Sequence, residues 1–175
     1  ARAKGMEIII TADHGTVEKH LYPDGAIDTG HTDSPVPFII ATDGADYSLR
    51  EGGDLTDVAP TALHLLGIPK PDEMTGESLI LGSNAPAASL PSSSASASQK
   101  RLLLIIADGW GVGKGDEGDL IAQAQTPVMD ELRAKCPYTT LAASGEAVGM
   151  PAGSVGNSET GHLHIGAGRR VADSS

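Results

Sequence analysis

Two largely apolar runs that each end in an aspartate constrain the fold of this chain more than any other feature. Residues 102–107 lead directly into Asp108, and residues 8–12 lead into Asp13 and His14. Runs of this kind are typical of strands buried on both faces of a parallel sheet. Because open α/β sheets keep their sites at the carboxyl ends of the strands, we predict that the three polar residues meet at one edge of the sheet.

Two further stretches predict helices. Leucine, valine and alanine recur at three- and four-residue spacing from Asp54 until Gly67, which predicts an amphipathic helix packed on the sheet. Residues 119–135 also have a helical pattern, although Thr126 and Pro127 interrupt it, and we expect the main helix to begin with Thr126 as its cap. The predicted apolar stripe of this segment consists of Ile121, Ala124, Val128 and Leu132.

Other short apolar runs complete the predicted sheet. Residues 36–41, with prolines at the entry, and residues 139–143 are predicted as strands, and residues 74–80 as a short loop or strand. The sequence therefore predicts an α/β fold with a largely parallel sheet flanked by helices.

Composition excludes several classes of function. A chain of 175 residues with 39% hydrophobic residues can build a core, while a net charge of −11 argues against nucleic acid as a partner. No apolar run approaches the roughly 20 residues that span a bilayer, so we expect no membrane association. Cys136 is the single cysteine, which fits a reducing compartment. We expect a cytoplasmic protein, and a monomer.

Residues 82–100 differ in kind from the rest of the chain. They contain seven Ser, five Ala and two Pro, and Lys100 is the only charged residue among them. Such a composition cannot bury enough apolar surface to offset the entropy lost on ordering. We interpret this segment as a flexible tether between two halves, residues 1–81 and residues 101–175.

The glycine-rich stretch 153–162 contains the candidate nucleophile, Ser158. We predict a loop here, because the stretch has too much glycine for an ordinary helix or strand, followed by a segment that opens a helix. A serine hydroxyl needs a base or a metal ion to act as a nucleophile at neutral pH. Asp13, His14 and Asp108 are predicted to surround one cation together with Ser158. Mixed oxygen and nitrogen ligands suit Mn²⁺ or Zn²⁺.

Each of these residues also has a plainer interpretation. An aspartate at a strand end, such as Asp108, is as often a cap or turn residue, and a lone histidine such as His31 is more often a surface residue than a ligand. His20 and His64 are interpreted as structural. His162 and His164 have two interpretations: they point the same way from a strand, or His162 simply hydrogen bonds to the serine loop.

Taken together, the motifs resemble the cofactor-independent (2,3-bisphosphoglycerate-independent) phosphoglycerate mutases of the alkaline phosphatase superfamily. The resemblance covers almost everything except the tether. It is carried by residues 104–111, 118–127, 144–149, 156–169, 10–18, 31–38 and 54–80.

The resemblance implies an alkaline-phosphatase-like core and an isomerase activity. Family members interconvert 3-phosphoglycerate and 2-phosphoglycerate in glycolysis, with Mn²⁺ or a similar ion such as Mg²⁺, Zn²⁺ or Co²⁺ and without 2,3-bisphosphoglycerate. By this resemblance Ser158 is transiently phosphorylated and is also a metal ligand. Asp108, Asp13 and His14 match its companions at one metal, and His31 matches a ligand of a second.

The order of the segments departs from the family pattern. Residues 1–81 resemble the C-terminal half of the phosphatase-like domain and residues 101–175 its N-terminal half, which indicates a circular permutation or an engineered fusion. The family's transferase domain and two further ligands of the second metal have no counterpart in the sequence. Two alternative functions therefore stay open: a metal-dependent phosphohydrolase of the same superfamily, and a catalytically silent metal-binding fragment.

Overall fold

A five-stranded sheet forms the centre of the fold in the computed structural model, which describes residues 6–41, 47–82 and 100–171. Its strands, in spatial order, are β4, β7, β2, β1 and β6. Their bounds are β1 Met6–Thr11, β2 Val36–Ile40, β4 Gly53–Asp54, β6 Arg101–Ile106 and β7 Tyr138–Ala142. Two short strands, β3 Ser48–Leu49 and β5 Ile80–Leu81, pair separately. The predicted tether falls on residues 83–99, outside the described residues.

Four α-helices accompany the sheet in the described ranges: α1 Val58–Leu66, α2 Leu120–Gln123, α3 Pro127–Lys135 and α4 Ser158–Ala167. Single 3-10 turns precede α1 at Leu55–Asp57 and follow β7 at Gly145–Val148. The predicted end of α1 is confirmed, since Gly67 caps it with a left-handed φ of 71°. None of these helices is both long and apolar enough to cross a bilayer.

The direction of the strands confirms a largely parallel sheet. β1 runs parallel to β6, with Ile9 opposite Leu104, and β4 runs parallel to β7. β2 is antiparallel to both of its neighbours, β1 and β7. Four of the five strands therefore share one direction, and β2 is the exception.

Both faces of the sheet are covered by helices, as the α/β prediction requires. On one face, Ile9, Phe38 and Leu141 belong to a buried cluster that includes side chains of α1 and α4. On the other face, Ile8 and Ile10 pack with Met129 and Leu132 of α3, among others. Apart from Phe38, the buried hydrophobic side chains of the described residues are aliphatic, in keeping with the 3% aromatic content.

One of the two predicted buried strands is only half buried. β1 lies between β2 and β6, and its last four residues are buried. β6 lies at the edge of the sheet and alternates between exposed and partly buried residues, with Leu103 36% and Ile105 40% exposed. The prediction of a strand buried on both faces was therefore wrong for β6, because an apolar run does not reveal whether a neighbour covers it.

The predicted stripe on residues 119–135 was right at Leu132 but wrong at Ala124 and Val128, which are exposed. The chain breaks into α2 and α3, and Pro127 is the first residue of α3. Val128 is 69% exposed, whereas Met129 and Leu132 face the core. The break restarts the helix at Pro127, so residues before and after it do not share one continuous face.

A buried aspartate, Asp57, fixes the start of α1. The Asp57 carboxylate accepts hydrogen bonds from the backbone N–H groups of Asp54 (3.0 Å) and Glu77 (2.8 Å). It also pairs with Arg50 at 2.7 Å. Asp57 is thus a structural carboxylate whose partners come from the segment between β3 and β4, from β4 itself and from the loop before β5.

Candidate metal centre

The two predicted strand-end motifs lie side by side. Asp13 and His14 follow β1, Asp108 follows β6, and the parallel register places Thr11 opposite Ile106. The backbone N–H of Gly109 reaches across and donates to Asp13 Oδ1 at 3.2 Å. Elements far apart in sequence therefore meet at the carboxyl edge of the sheet.

Ser158 is the first residue of helix α4 rather than part of an irregular loop, so the loop prediction was wrong at this point. Asn157 caps the helix, with its side-chain oxygen accepting the Thr160 N–H at 2.9 Å. The Ser158 hydroxyl lies 2.7 Å from Asp13 Oδ2 and 3.0 Å from Asp108 Oδ2. One hydroxyl proton stands between two carboxylates, an arrangement in which a cation is favourable.

The His14 ring is oriented like a metal ligand. Its Nδ1 lies 3.1 Å from the carbonyl oxygen of Gly15, so Nδ1 is the donor to that oxygen and Nε2 is the nitrogen available to a metal ion. Nε2 lies 3.6 Å from Asp13 Oδ2 and 3.4 Å from Asp108 Oδ1. The free nitrogen thus faces the same space as the carboxylates.

The pKa of Asp13 is lowered from its ordinary value although the side chain is fully buried. Burial acts to raise this pKa, but the hydrogen bond from Ser158 and the charge of His14 act against it. Backbone N–H groups, including that of Gly109, add to the lowering. Asp13 is therefore an anion at neutral pH, as a metal ligand must be.

His31 lies beside the centre. Its ring stacks on that of His14 with centroids 4.1 Å apart, and its Nδ1 lies 2.9 Å from the carbonyl oxygen of Gly156. The group of side chains whose ligand atoms all lie within 4.8 Å of one another consists, in the described part of the chain, of Asp13, His14 and Asp108. His31 is outside that group, and its role at a second metal stays a prediction.

The two histidines of α4 have different roles. His162 is half exposed, with Nδ1 2.8 Å from the Ser158 carbonyl oxygen and 3.2 Å from Asp13 Oδ2. His164 is fully buried, with Nδ1 2.7 Å from the Thr160 carbonyl oxygen while Nε2 accepts the Val171 N–H at 3.1 Å. The alternative that placed both on a strand was wrong, since α4 is a helix.

Comparison with known proteins agrees with this geometry. The sequence profile of the Metalloenzyme superfamily matches residues 1–70 and 100–173, which is most of the chain. The chain belongs to the Metalloenzyme superfamily. The matched ranges include every residue of the centre described above.

Several curated relatives of this superfamily member are phosphoglycerate mutases by name. Proteins named 2,3-bisphosphoglycerate-independent phosphoglycerate mutase match from Methanosarcina barkeri (55% identity over 73 residues, 42% of this chain), Gloeobacter violaceus (51% over 69, 39%) and Listeria monocytogenes (57% over 77, 44%). The matched segments are 14%, 13% and 15% of the length of those relatives. The chain thus spans only a small part of them.

The donor atoms of this Metalloenzyme superfamily member fit a divalent ion. Two carboxylates, one imidazole nitrogen and one hydroxyl give the hard and borderline ligands that such ions accept. An ion bound at roughly 2.1 Å separates neighbouring ligand atoms by about 3.0–3.4 Å. The separations here, from 2.7 Å between Ser158 and Asp13 to 3.6 Å between His14 and Asp13, bracket that range.

Gly161 allows α4 to approach the end of β1. A Cβ atom at this position would lie 2.4 Å from the backbone oxygen of Asp13 and 2.9 Å from its Cβ. Real Cβ atoms do not come so close to backbone atoms, so any larger residue moves the helix. The serine at the start of α4 reaches Asp13 only because a glycine lies one turn later.

We expect Gly161→Ala to disturb the centre and Gly166→Ala to leave it intact. Overpacking at position 161 costs about 1–3 kcal/mol of unfolding free energy and moves Ser158 away from Asp13. Position 166 of the same helix has open space around it, so alanine stabilises by about 0.5–1 kcal/mol. Denaturant unfolding and Mn²⁺ titration of both variants check this. Equal Mn²⁺ affinities in the two variants would show that the close approach at Gly161 does not position Ser158.

Proposed function

We propose that this chain transfers a phosphoryl group through Ser158, with a divalent ion held by Asp13, His14, Asp108 and Ser158. The reaction is that of a phosphoglycerate mutase, the interconversion of 3-phosphoglycerate and 2-phosphoglycerate, with a phosphoserine as intermediate and Mn²⁺ as the favoured ion. This chain holds only part of that machinery, so release of the phosphate to water competes with the return transfer. The observation that carries the proposal is the Ser158 hydroxyl, 2.7 and 3.0 Å from two carboxylates that share a ligand group with His14.

Asp13 acts as a ligand in this scheme rather than as a general base. A carboxylate with a lowered pKa is too weak a base to hold the proton of a serine hydroxyl at neutral pH. A bound divalent ion supplies the missing activation by lowering the pKa of the hydroxyl and neutralising charge on the phosphoryl group. Asp108, whose side chain is 70% exposed, leaves the centre open to a substrate.

The position of Ser158 at the start of a ten-residue helix also supports phosphoryl transfer. The first N–H groups of a helix lack partners within the helix, and the helix dipole favours an anion there. An oxyanion or a phosphate on Ser158 lies at this end. As Oγ attacks phosphorus, the bond from phosphorus to the glycerate oxygen breaks. The glycerate is released with a hydroxyl at that oxygen, so the proton it gains balances the proton that Ser158 loses.

A metal-dependent phosphohydrolase is the second candidate, and the placement of two arginines favours it. Arg169 and Arg170 follow the carboxyl end of α4, roughly 15 Å from Ser158 along the helix axis. Arg170 is also paired with Asp54 at 3.1 Å. The two arginines therefore do not hold a substrate phosphate at Ser158. Without a positioned acceptor, the phosphoserine is hydrolysed and its phosphate is released to water.

We further propose that residues 1–81 and 101–175 are two halves of one phosphatase-like domain in permuted order. The pairing of β1 with β6 and of β2 with β7 supports this, because each pair joins one strand from each half. The metal centre likewise draws on both halves, with Asp13 from the first and Ser158 from the second.

The test is to incubate the full chain with 3-phosphoglycerate and Mn²⁺ and to follow phosphorus by NMR. We expect phosphate release to exceed formation of 2-phosphoglycerate. Chelation of the metal is expected to abolish both reactions. Formation of 2-phosphoglycerate as the main product favours the mutase over the hydrolase. Turnover that persists in excess chelator would contradict both.

A further inference from the structure

A buried glutamate, Glu18, lies behind the metal centre. Its side chain is 2% exposed, and Oε2 accepts the backbone N–H of Thr16 at 2.9 Å. Oε1 accepts a short hydrogen bond from the Thr32 hydroxyl. Within the described ranges no Lys, Arg or His lies within ion-pair distance of this carboxylate. Burying an acid without a cation costs free energy, which calls for a compensating role.

The Glu18 carboxylate is wedged between two glycines from different segments. A Cβ atom on Gly15 would lie 2.6 Å from Oε1, and a Cβ atom on Gly111 would lie 2.3 Å from Oε2. Gly15 directly follows His14, and Gly111 comes three residues after Asp108. The same carboxylate therefore contacts the segments that present two of the candidate metal ligands.

A third segment reaches the carboxylate through Thr32, the residue after His31. These segments are also tied to one another by their backbones. The Thr32 N–H donates to the Gly15 carbonyl oxygen at 3.0 Å, and the Thr16 N–H donates to that of Gly109 at 3.0 Å. Glu18 thus completes a junction of three loops that lies directly behind the candidate ligands.

We propose that Glu18 is a positioning residue that sets the geometry of the metal centre by holding the loops of His14, His31 and Asp108 together. The proposal rests on the proposed function in taking this centre to bind a divalent ion. It extends that function by naming a residue that does not itself face the ion. Its two oxygens are what the junction requires, one for a fixed backbone N–H and one for a hydroxyl.

The chemistry of the junction predicts how substitutions rank. In Glu18→Gln the amide oxygen accepts the Thr16 N–H, while the amide nitrogen donates to Thr32 Oγ, which can act as acceptor. Glu18→Asp is one methylene shorter and cannot reach both partners, and Glu18→Ala reaches neither. The glutamine variant is therefore the conservative rescue, and the other two break the junction.

The experiment titrates Mn²⁺ into the metal-free full chain and measures free Mn²⁺ by electron paramagnetic resonance. We expect Glu18→Ala and Glu18→Asp to weaken Mn²⁺ binding by about 10–100-fold, the usual effect of losing an outer-shell partner. Glu18→Gln stays within about threefold of the wild type, because its hydrogen bonds are retained. Near-ultraviolet circular dichroism confirms that each variant is folded at the temperature used.

Asp57→Ala is the matched control. It removes another buried carboxylate that joins several segments, but all of its partners lie away from the centre. We expect it to lower the unfolding temperature and to leave the Mn²⁺ affinity unchanged. An equal loss of affinity in Asp57→Ala and Glu18→Ala would show general destabilisation and overturn the proposal.

The remaining outcomes separate this proposal from the proposed function. Wild-type affinity in both Glu18→Ala and Glu18→Asp overturns the positioning role, and so does the failure of both variants to fold. A wild-type chain that binds no Mn²⁺ removes the metal centre and the proposal with it. If the wild type binds Mn²⁺ and the Glu18 variants bind it more weakly, but the wild type transfers no phosphate, only the proposed function is contradicted.

Discussion

Ser158→Ala is expected to lower phosphoryl transfer by roughly a thousandfold or more while leaving the fold intact. The substitution removes the one oxygen that lies between Asp13 and Asp108, at 2.7 and 3.0 Å. Alanine fits the first turn of a helix, and Asn157 still caps α4, so the unfolding free energy changes little. Mass spectrometry of the chain after incubation with 3-phosphoglycerate and Mn²⁺ measures the phosphate on residue 158 directly.

Ser154→Ala is the matched control for this experiment. Ser154 precedes the same helix. Its backbone carbonyl oxygen accepts a hydrogen bond from the Gly145 N–H at 3.0 Å, and alanine keeps this bond. We expect Ser154→Ala to be labelled like the wild type. Phosphate found on another residue of Ser158→Ala, or unchanged turnover in that variant, would sink the assignment of the nucleophile.

Asp13→Asn has the second largest expected effect, a loss of Mn²⁺ affinity of about a hundredfold or more. The substitution keeps the shape of the side chain but removes the charge that the ion requires. Asp13 Oδ1 accepts two backbone N–H groups, from His14 at 3.1 Å and from Gly109 at 3.2 Å, and an amide oxygen can retain these. The variant therefore folds, and the loss appears in calorimetric titration with Mn²⁺.

The isosteric control is Asp57→Asn, because Asp57 is a buried aspartate outside the centre. It is expected to destabilise the fold through the Arg50 pair without changing the Mn²⁺ affinity. Asp108→Asn should resemble Asp13→Asn, with partial recovery at high Mn²⁺, since the exposed Asp108 is free to rearrange. Wild-type affinity in Asp13→Asn would exclude this carboxylate from the metal centre.

Pattern alone predicted the strand ends and the residues that meet there. The apolar runs before Asp13 and Asp108 predicted parallel strands, and in the structure these strands, β1 and β6, lie side by side. Their parallel register brings the two carboxyl ends together. The start of α3 at Pro127 was predicted for a similar reason, since proline fits the first turn of a helix. In each case the signal is local to the residues concerned.

The helical state of residues 158–167 was harder to predict, because glycine is a poor helix former. Gly161 is required by the close approach of Asp13, a contact between residues almost 150 positions apart. A local signal was present nonetheless. Asn157 followed by an acidic first turn at Glu159 is a typical helix start.

Glu18 and the edge position of β6 had no signal in the sequence. Glutamate is among the residues least often buried, so its residue type predicts an exposed side chain, whereas Glu18 is buried. Its burial depends on glycines at positions 15 and 111 that make room only in the folded chain. Likewise, the exposure of Ile105 depends on which elements cover β6, and that depends on tertiary structure.

The position of the bound ion is the measurement that decides whether the four candidate ligand side chains form a metal centre. Crystals of the full chain grown with Mn²⁺ and measured at the manganese absorption edge locate it by anomalous scattering. We predict one strong peak about 2.0–2.3 Å from His14 Nε2 and from oxygens of Asp13, Asp108 and Ser158, with a weak peak or none beside His31. A strong peak elsewhere, with none among these four side chains, would contradict this prediction.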